Sequence, residues 1–360
     1  MDIVPILLII ILALIFVLPF ISKTVEHNLE FFLFGAGLLA IIVAGALSKG
    51  FIFVVLENKF MYFITAAVFI AGFVFKYTRD YLGILIKKIM MSRLPLELFV
   101  FLIILILGLI SSIITGIVAA LVLVEIINLI HFRRKDKINI VIIACFSIGL
   151  GAALTPIGEP LTTIVATRIG VGFFYFINTF GLLIIPGVVA LGILGAVYTA
   201  KYCKYIKTRT YKESQTDIEM EDFVEEELEE EERFHEILFR TFKIFIFIIA
   251  LEFLGEGFKP LINTYVIILD SRLLYWGNMV SSILDNATVA SAEISVKMSP
   301  KQIESILMGL LISGGMLIPG NIPNIISASK LKIKSNEWAR VGLPIGLSLM
   351  AIYYVIIFVF

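Results

Sequence analysis

The sequence has almost nothing with which to build a metal centre or a disulfide. Of 360 residues, two are cysteine and three are histidine. Cys145 falls inside an apolar run and Cys203 at the end of another, so their settings do not match as a pair; His27, His131 and His235 show no ligand spacing. No glycine-rich stretch leads into Lys-Ser or Lys-Thr, which argues against a P-loop and ATP-driven work. Charge is sparse as well. Only 16% of residues are Asp, Glu, Lys or Arg, and they sum to a net charge of zero, with nothing pointing to a nucleic-acid partner. No connection is long enough for an extracellular or catalytic domain, and no cofactor is expected.

What remains is apolar. Hydrophobic residues make up 59% of the chain, and the mean hydropathy is +1.02. These values lie beyond what one soluble core hides and indicate an all-α polytopic membrane protein in contact with lipid. The first run, Ile3 to Ile21, follows Asp2, lacks a basic leader and has no small-residue cleavage site, so it reads as a retained transmembrane helix. Further spans are expected at about 31–47, 60–77, 171–198, 239–254 and 341–360.

Four regions follow from this pattern. Residues 1–93 form N-terminal scaffold helices, closing with an amphipathic surface helix from Thr78 to Arg93. Residues 94–200 hold a hairpin, a broken helix and a span; 201–238 are an acidic cytoplasmic linker, with a regulatory role as an alternative; and 239–360 repeat the plan. The basic stretches 133–137 and 201–212 place those ends in the cytoplasm.

The organising stretch is Gly151 to Thr163, which carries Thr155, Pro156, Gly158, Glu159 and Pro160 within an apolar run. Each proline lacks an N–H and crowds the carbonyl one turn back, so two half-helices are expected, with unpaired backbone groups facing each other. Such groups are tolerated at membrane depth only around a cavity. A carboxylate there costs roughly 2.5–3.5 kcal/mol, so Glu159 calls for a compensating role. The bland alternative is a proline kink with Glu159 reaching an interface.

The break recurs at Gly314 to Ala328 with Pro319, Gly320, Asn321, Pro323 and Asn324. The stretches ahead of the breaks also match, Ser111-Ser112-Ile-Ile-Thr115-Gly116 with Ser281-Ser282-Ile-Leu-Asp285-Asn286. Paired interruptions of this kind point to inverted repeats, with two discontinuous helices meeting two re-entrant hairpins near the midplane. The first hairpin covers about 95–130, with Gly108, Ser111, Ser112, Thr115 and Gly116 at its tip; one long tilted helix is the alternative.

Aligning the repeats sets Thr115 opposite Asp285, and Glu159 opposite Asn321. Each half thus lends one acid and one neutral polar group. With Asn286, Asn324, Ser112, Thr155, Ser282 and Thr288, they form an oxygen-ligand set suited to a hard cation. Neither tip nor break contains Lys or Arg, which disfavours a pocket for a di- or tricarboxylate. Burial and mutual repulsion favour proton uptake by Asp285 or Glu159, so protons and a monovalent cation compete for the same oxygens. Glu125, Glu252, Glu256 and Glu293 read as interfacial, with Glu252 in reserve as a site acid.

These residues resemble the ion-transporter superfamily of arsenite permeases, citrate and dicarboxylate carriers, and sodium/proton antiporters. The resemblance covers nearly the whole chain after the first two helices. It rests on the paired hairpins, Gly151 to Pro160, Asp285-Asn286 and Gly314 to Asn324. The dicarboxylate branch is similar in carrying Ser-Asn-Thr at both tips; this chain departs from it and sits with the antiporter branch. The resemblance implies a homodimer, an elevator-type motion and a plasma-membrane location. The expected function is therefore sodium/proton antiport, with an anion carrier of the same fold as the rival. An intramembrane enzyme is disfavoured because no Gly-x-Gly-Asp signature surrounds either acid.

Overall fold

A computed structural model describes residues 3–22, 24–25, 28–59, 61–62, 65–66, 69–70, 73, 77, 94–130, 132–202, 234–283 and 286–360. Most of the expected span 60–77, the surface helix 78–93, the acidic linker from 203 to 233 and Asp285 lie outside them.

The described chain is helical throughout. The first part contains α1 (Ile3–Ile21), α2 (Leu29–Val43), α3 (Lys49–Leu56), α4 (Leu96–Ile114), α5 (Gly116–Leu129), α6 (Arg134–Ala152), α7 (Pro160–Ile169) and α8 (Tyr175–Tyr202). The second contains α9 (Phe234–Leu261), α10 (Ser271–Gly277), α11 (Asn286–Glu293), α12 (Pro300–Gly314), α13 (Ile322–Lys330) and α14 (Ser335–Phe358). Helices α4, α8 and α14 are long and apolar enough to cross a membrane.

The two helices that lead into the breaks form the centre. Every residue from Ile138 to Ala152 of α6 is buried, as is every residue from Ser305 to Gly314 of α12. A helix apolar on all sides belongs inside a bundle, and α6 is enclosed by α4, α5, α8, α13 and α14. Helix α4 approaches it closely: a Cβ on Gly151 would overlap the Gly108 carbonyl.

Three expectations are corrected. The second span stops at Val43, not Leu47, because Gly45 takes a left-handed conformation (φ 67°). Its N–H reaches Ile42 O, and Ala46 N–H reaches Ile41 O. Ser48 then caps the short helix α3 by accepting from Phe51 N–H. Second, Gly255-Glu256-Gly257 does not end the span begun near Phe239; α9 runs on to Leu261. Those glycines serve packing, since a Cβ on Gly257 would come within 2.7 Å of Ala40 in α2, and one on Gly37 within 2.9 Å of Ala250 O in α9. Third, Gly108, Ser111 and Ser112 are not at a tip but inside α4. The turn is Thr115 alone, at φ 77°, and it rules out one unbroken helix from 95 to 130.

Candidate functional site

At the first break α6 ends at Ala152, and α7 restarts at Pro160 with Glu159 as its N-cap. Proline at the first helical position loses no bond, since that N–H has no partner in any helix. Carbonyls freed by the break are taken up by the next turn. Thr162 Oγ1 donates to Thr155 O (2.9 Å) and Glu159 O (3.0 Å), and Thr163 Oγ1 donates to Pro156 O.

The second break is built alike. Helix α12 ends at Gly314, a 3-10 turn covers Ile318–Gly320, and α13 starts behind Asn321. Asn324 Nδ2 donates to Gly314 O (2.8 Å) and Leu317 O (2.9 Å), the counterpart of Thr162. The N-caps share a backbone conformation: φ −153° and ψ 157° for Glu159, φ −153° and ψ 146° for Asn321. Both breaks fold back tightly. A Cβ on Gly158 would overlap Ala152 O, and one on Gly320 would lie 2.5 Å from Gly314 O.

The turn at Thr115 touches both breaks. Gly116 N–H donates to Gly158 O (2.8 Å), and a Cβ on Gly116 would sit 3.2 Å from Pro323 Cγ. Between them lies a cavity of about 30 Å³, lined by Thr115, Gly116, Ile117, Ile157, Gly158, Glu159, Pro160, Asn321, Ile322, Pro323 and, from α9, Phe247. That is room for one or two water-sized groups. Thr115, Glu159 and Asn321 are 4%, 6% and 3% exposed, so their oxygens are shielded from bulk solvent.

Of the residues expected to act together, the structure therefore joins Thr115, Glu159 and Asn321 with Gly158, Pro160 and Pro323. Others have structural duties. Ser112 Oγ donates to Leu109 O (2.7 Å), and Thr155 Oγ1 donates to Ser112 O (2.5 Å). Asn324 spends its amide N–H groups on the break, and its Oδ1 is buried without a hydrogen-bond partner among the described residues. Asn286, Ser282 and Thr288 are buried but do not line this cavity. The Nδ2 of Asn286 has no hydrogen-bond partner among the described residues and faces Gly314.

The cavity wall is largely apolar, with Thr115, Glu159 and Asn321 as its polar side chains and no fixed positive charge. The lining contains no Lys or Arg, and the described residues contain no group of three His, Cys, Asp or Glu able to hold a metal. The N-termini of α7 and α13 add partial positive charge at this point. The Glu159 side chain makes no capping bond to α7.

Sequence reasoning missed three features. Phe247 is one apolar residue among many along α9 and carries no signal of its role as a wall. Thr162 and Thr163 lie one turn past the break, where threonine bonds back to freed carbonyls, so their spacing held the clue. Arg168 in the last turn of α7 was also overlooked, although a lone cation between Pro160 and Lys201 stands out.

Among the described residues the chain is helical without strands, has three helices long and apolar enough to cross a membrane, and is broken twice beside a buried carboxylate, which defines the class as a helical membrane-type protein. More narrowly, the chain belongs to the family described as protein of unknown function (DUF1646), matched over residues 5–360. No curated protein matches it.

Proposed function

We propose that this chain is a secondary active transporter of the cell membrane that exchanges sodium, or a similar monovalent cation, for protons. The observation that carries the reading is the cavity where the Thr115 turn and both helix breaks converge on Glu159. A carboxylate, a hydroxyl and an amide oxygen suit a hard cation. In about 30 Å³ a proton on Glu159 and a cation beside it exclude each other, and this competition produces exchange. Asp285, one residue before Asn286, is the second acid in this proposal.

Support for two inverted repeats comes from reciprocal packing. Helix α5 of the first half packs on α13 of the second, and α11 of the second packs on α7 of the first. Such crossed pairing, with matching N-cap geometry at Glu159 and Asn321, supports the repeat reading; re-entrant hairpins, an elevator-type motion and a homodimer belong to the proposal as what the resemblance implies.

The test uses purified protein in liposomes loaded with a pH-sensitive dye. Sodium or lithium is expected to move internal pH, and Glu159→Gln to abolish the response. One observation favours an anion carrier instead, since two helix N-termini face one cavity. Uptake of citrate or arsenite without a sodium response would establish that rival. A sodium response intact in Glu159→Gln would remove the site assignment.

A further inference from the structure

Helices α7 and α9 face each other across a small cavity that holds a charged cluster. Arg168 closes α7, where a cation suits the negative end of the helix dipole. Its guanidinium lies directly on the backbone of α9, so a Cβ on Gly255 would overlap it. Glu252 and Glu256 on α9 both attract this cation. Glu256 already pairs with Lys259 at 2.9 Å, whereas Glu252 faces a small cavity that Arg168 also lines. Asn58, just past α3, donates to Glu252 Oε1 at 3.0 Å.

This cluster sits beside the ion cavity. Pro160 lines both cavities, so only the first turn of α7 separates them. Helix α7 has 10 residues and is about 15 Å long, a short rod with Glu159 at one end and Arg168 at the other. A tether on Arg168 therefore acts on the same rod that carries Glu159, beside the bonds Gly116 and Thr162 make at the break.

We propose that Arg168 and Glu252 form a positioning pair, with Gly255 as the seat of the guanidinium, that holds α7 against α9 and thereby fixes Glu159 in the cavity. The inference rests on the exchange reading for its transport readout, but the pair itself is measurable without transport. Removing the Arg168 charge leaves Glu252 with the Asn58 N–H, and removing the Glu252 charge leaves Arg168 with Glu256, which Lys259 already engages; removing both avoids either imbalance. Arg168→Gln and Glu252→Gln should each raise the KM for sodium by about tenfold while the maximal rate falls less, and the double variant should recover most of that loss. Arg168→Lys, which keeps the charge, should rescue much of the affinity. Gly255→Ala, which displaces the guanidinium, presses on Ser291 O at 2.8 Å and leaves the charges in place, should lose at least as much as the single-charge variants.

Thermal melts of the same variants in detergent form the second arm, with the double variant expected to melt above either single. Additive losses in the melts, or a wild-type KM in Gly255→Ala, would overturn the pair. If the wild-type chain exchanges no ions, the transport reading fails, and the melts alone decide the pair.

Discussion

Gly158 offers the sharpest test of how the first break is built. In this conformation a Cβ would overlap Ala152 O and come within 2.7 Å of Ala152 C. These are backbone atoms at the end of α6, so no side chain can swing aside. Overpacking of this kind costs about 1–3 kcal/mol. Gly158 O also accepts from Gly116 N–H at 2.8 Å, and straining that bond adds about 1 kcal/mol. Gly158→Ala should therefore destabilise by about 2–4 kcal/mol and separate the Thr115 turn from the break. Gly320→Ala should behave alike, because its Cβ would meet Gly314 O at 2.5 Å and Ser281 O at 2.8 Å. Gly172→Ala is the control, with no atom within 4 Å of the new methyl. Melting in detergent and sodium-driven pH change in liposomes are measured on all three. If Gly158→Ala and Gly320→Ala melt with the control and exchange at the wild-type rate, the tight fold-back of the breaks is refuted.

Glu159→Gln should melt as the wild type does, because the amide fills the same volume, yet show no sodium-driven pH change; a retained response counts against Glu159 as carrier. Asn324→Ala leaves Gly314 O and Leu317 O without their donor and should cost about 2–4 kcal/mol in detergent melts, more than Asn321→Ala, whose side chain makes no capping bond. Thr162→Val should cost about 1–3 kcal/mol through loss of two carbonyl partners, with Thr162→Ser recovering most of it. Gly45→Ala forces a side chain into φ 67° and should cost about 1–2 kcal/mol while leaving the KM for sodium unchanged.

What was legible in the sequence follows from which forces act locally. Paired prolines with a glycine between them, at 156/160 and 319/323, locate both breaks without coordinates, whereas the single Pro186 and Pro344 stay inside α8 and α14. Closure of the breaks could not be located so, because Gly158 meets Ala152 only once the chain has folded back. Gly255 and Gly257 read as a helix end on local propensity, but tertiary contact with α2 and Arg168 outweighed it. Gly45 lay unnoticed in Ala-Gly-Ala-Leu-Ser, although a glycine closing one helix and a serine opening the next is a local signal. Sorting the polar residues was harder. Ser112, Thr155 and Asn324 have the right atoms for ion ligands, and only the coordinates show their hydroxyl and amide hydrogens committed to backbone carbonyls.

The likeness of the two breaks makes the difference at their N-caps informative. Glu159 and Asn321 occupy N-caps of nearly the same φ and ψ, each follows a glycine pressed on the helix before it, and both line one cavity. Backbone needs are thus equal, and either side chain satisfies them, since neither bonds to its own helix. A purely structural cavity would do as well with two amides, without burying a charge in an apolar bundle. The acid stands on one side, at 6% exposure, where the opposite break accommodates a shorter, neutral amide in the same backbone geometry. The place where the two N-caps differ is therefore the place to look for a task that an amide cannot perform. On the proposed reading that task is the alternate binding of a proton and a cation.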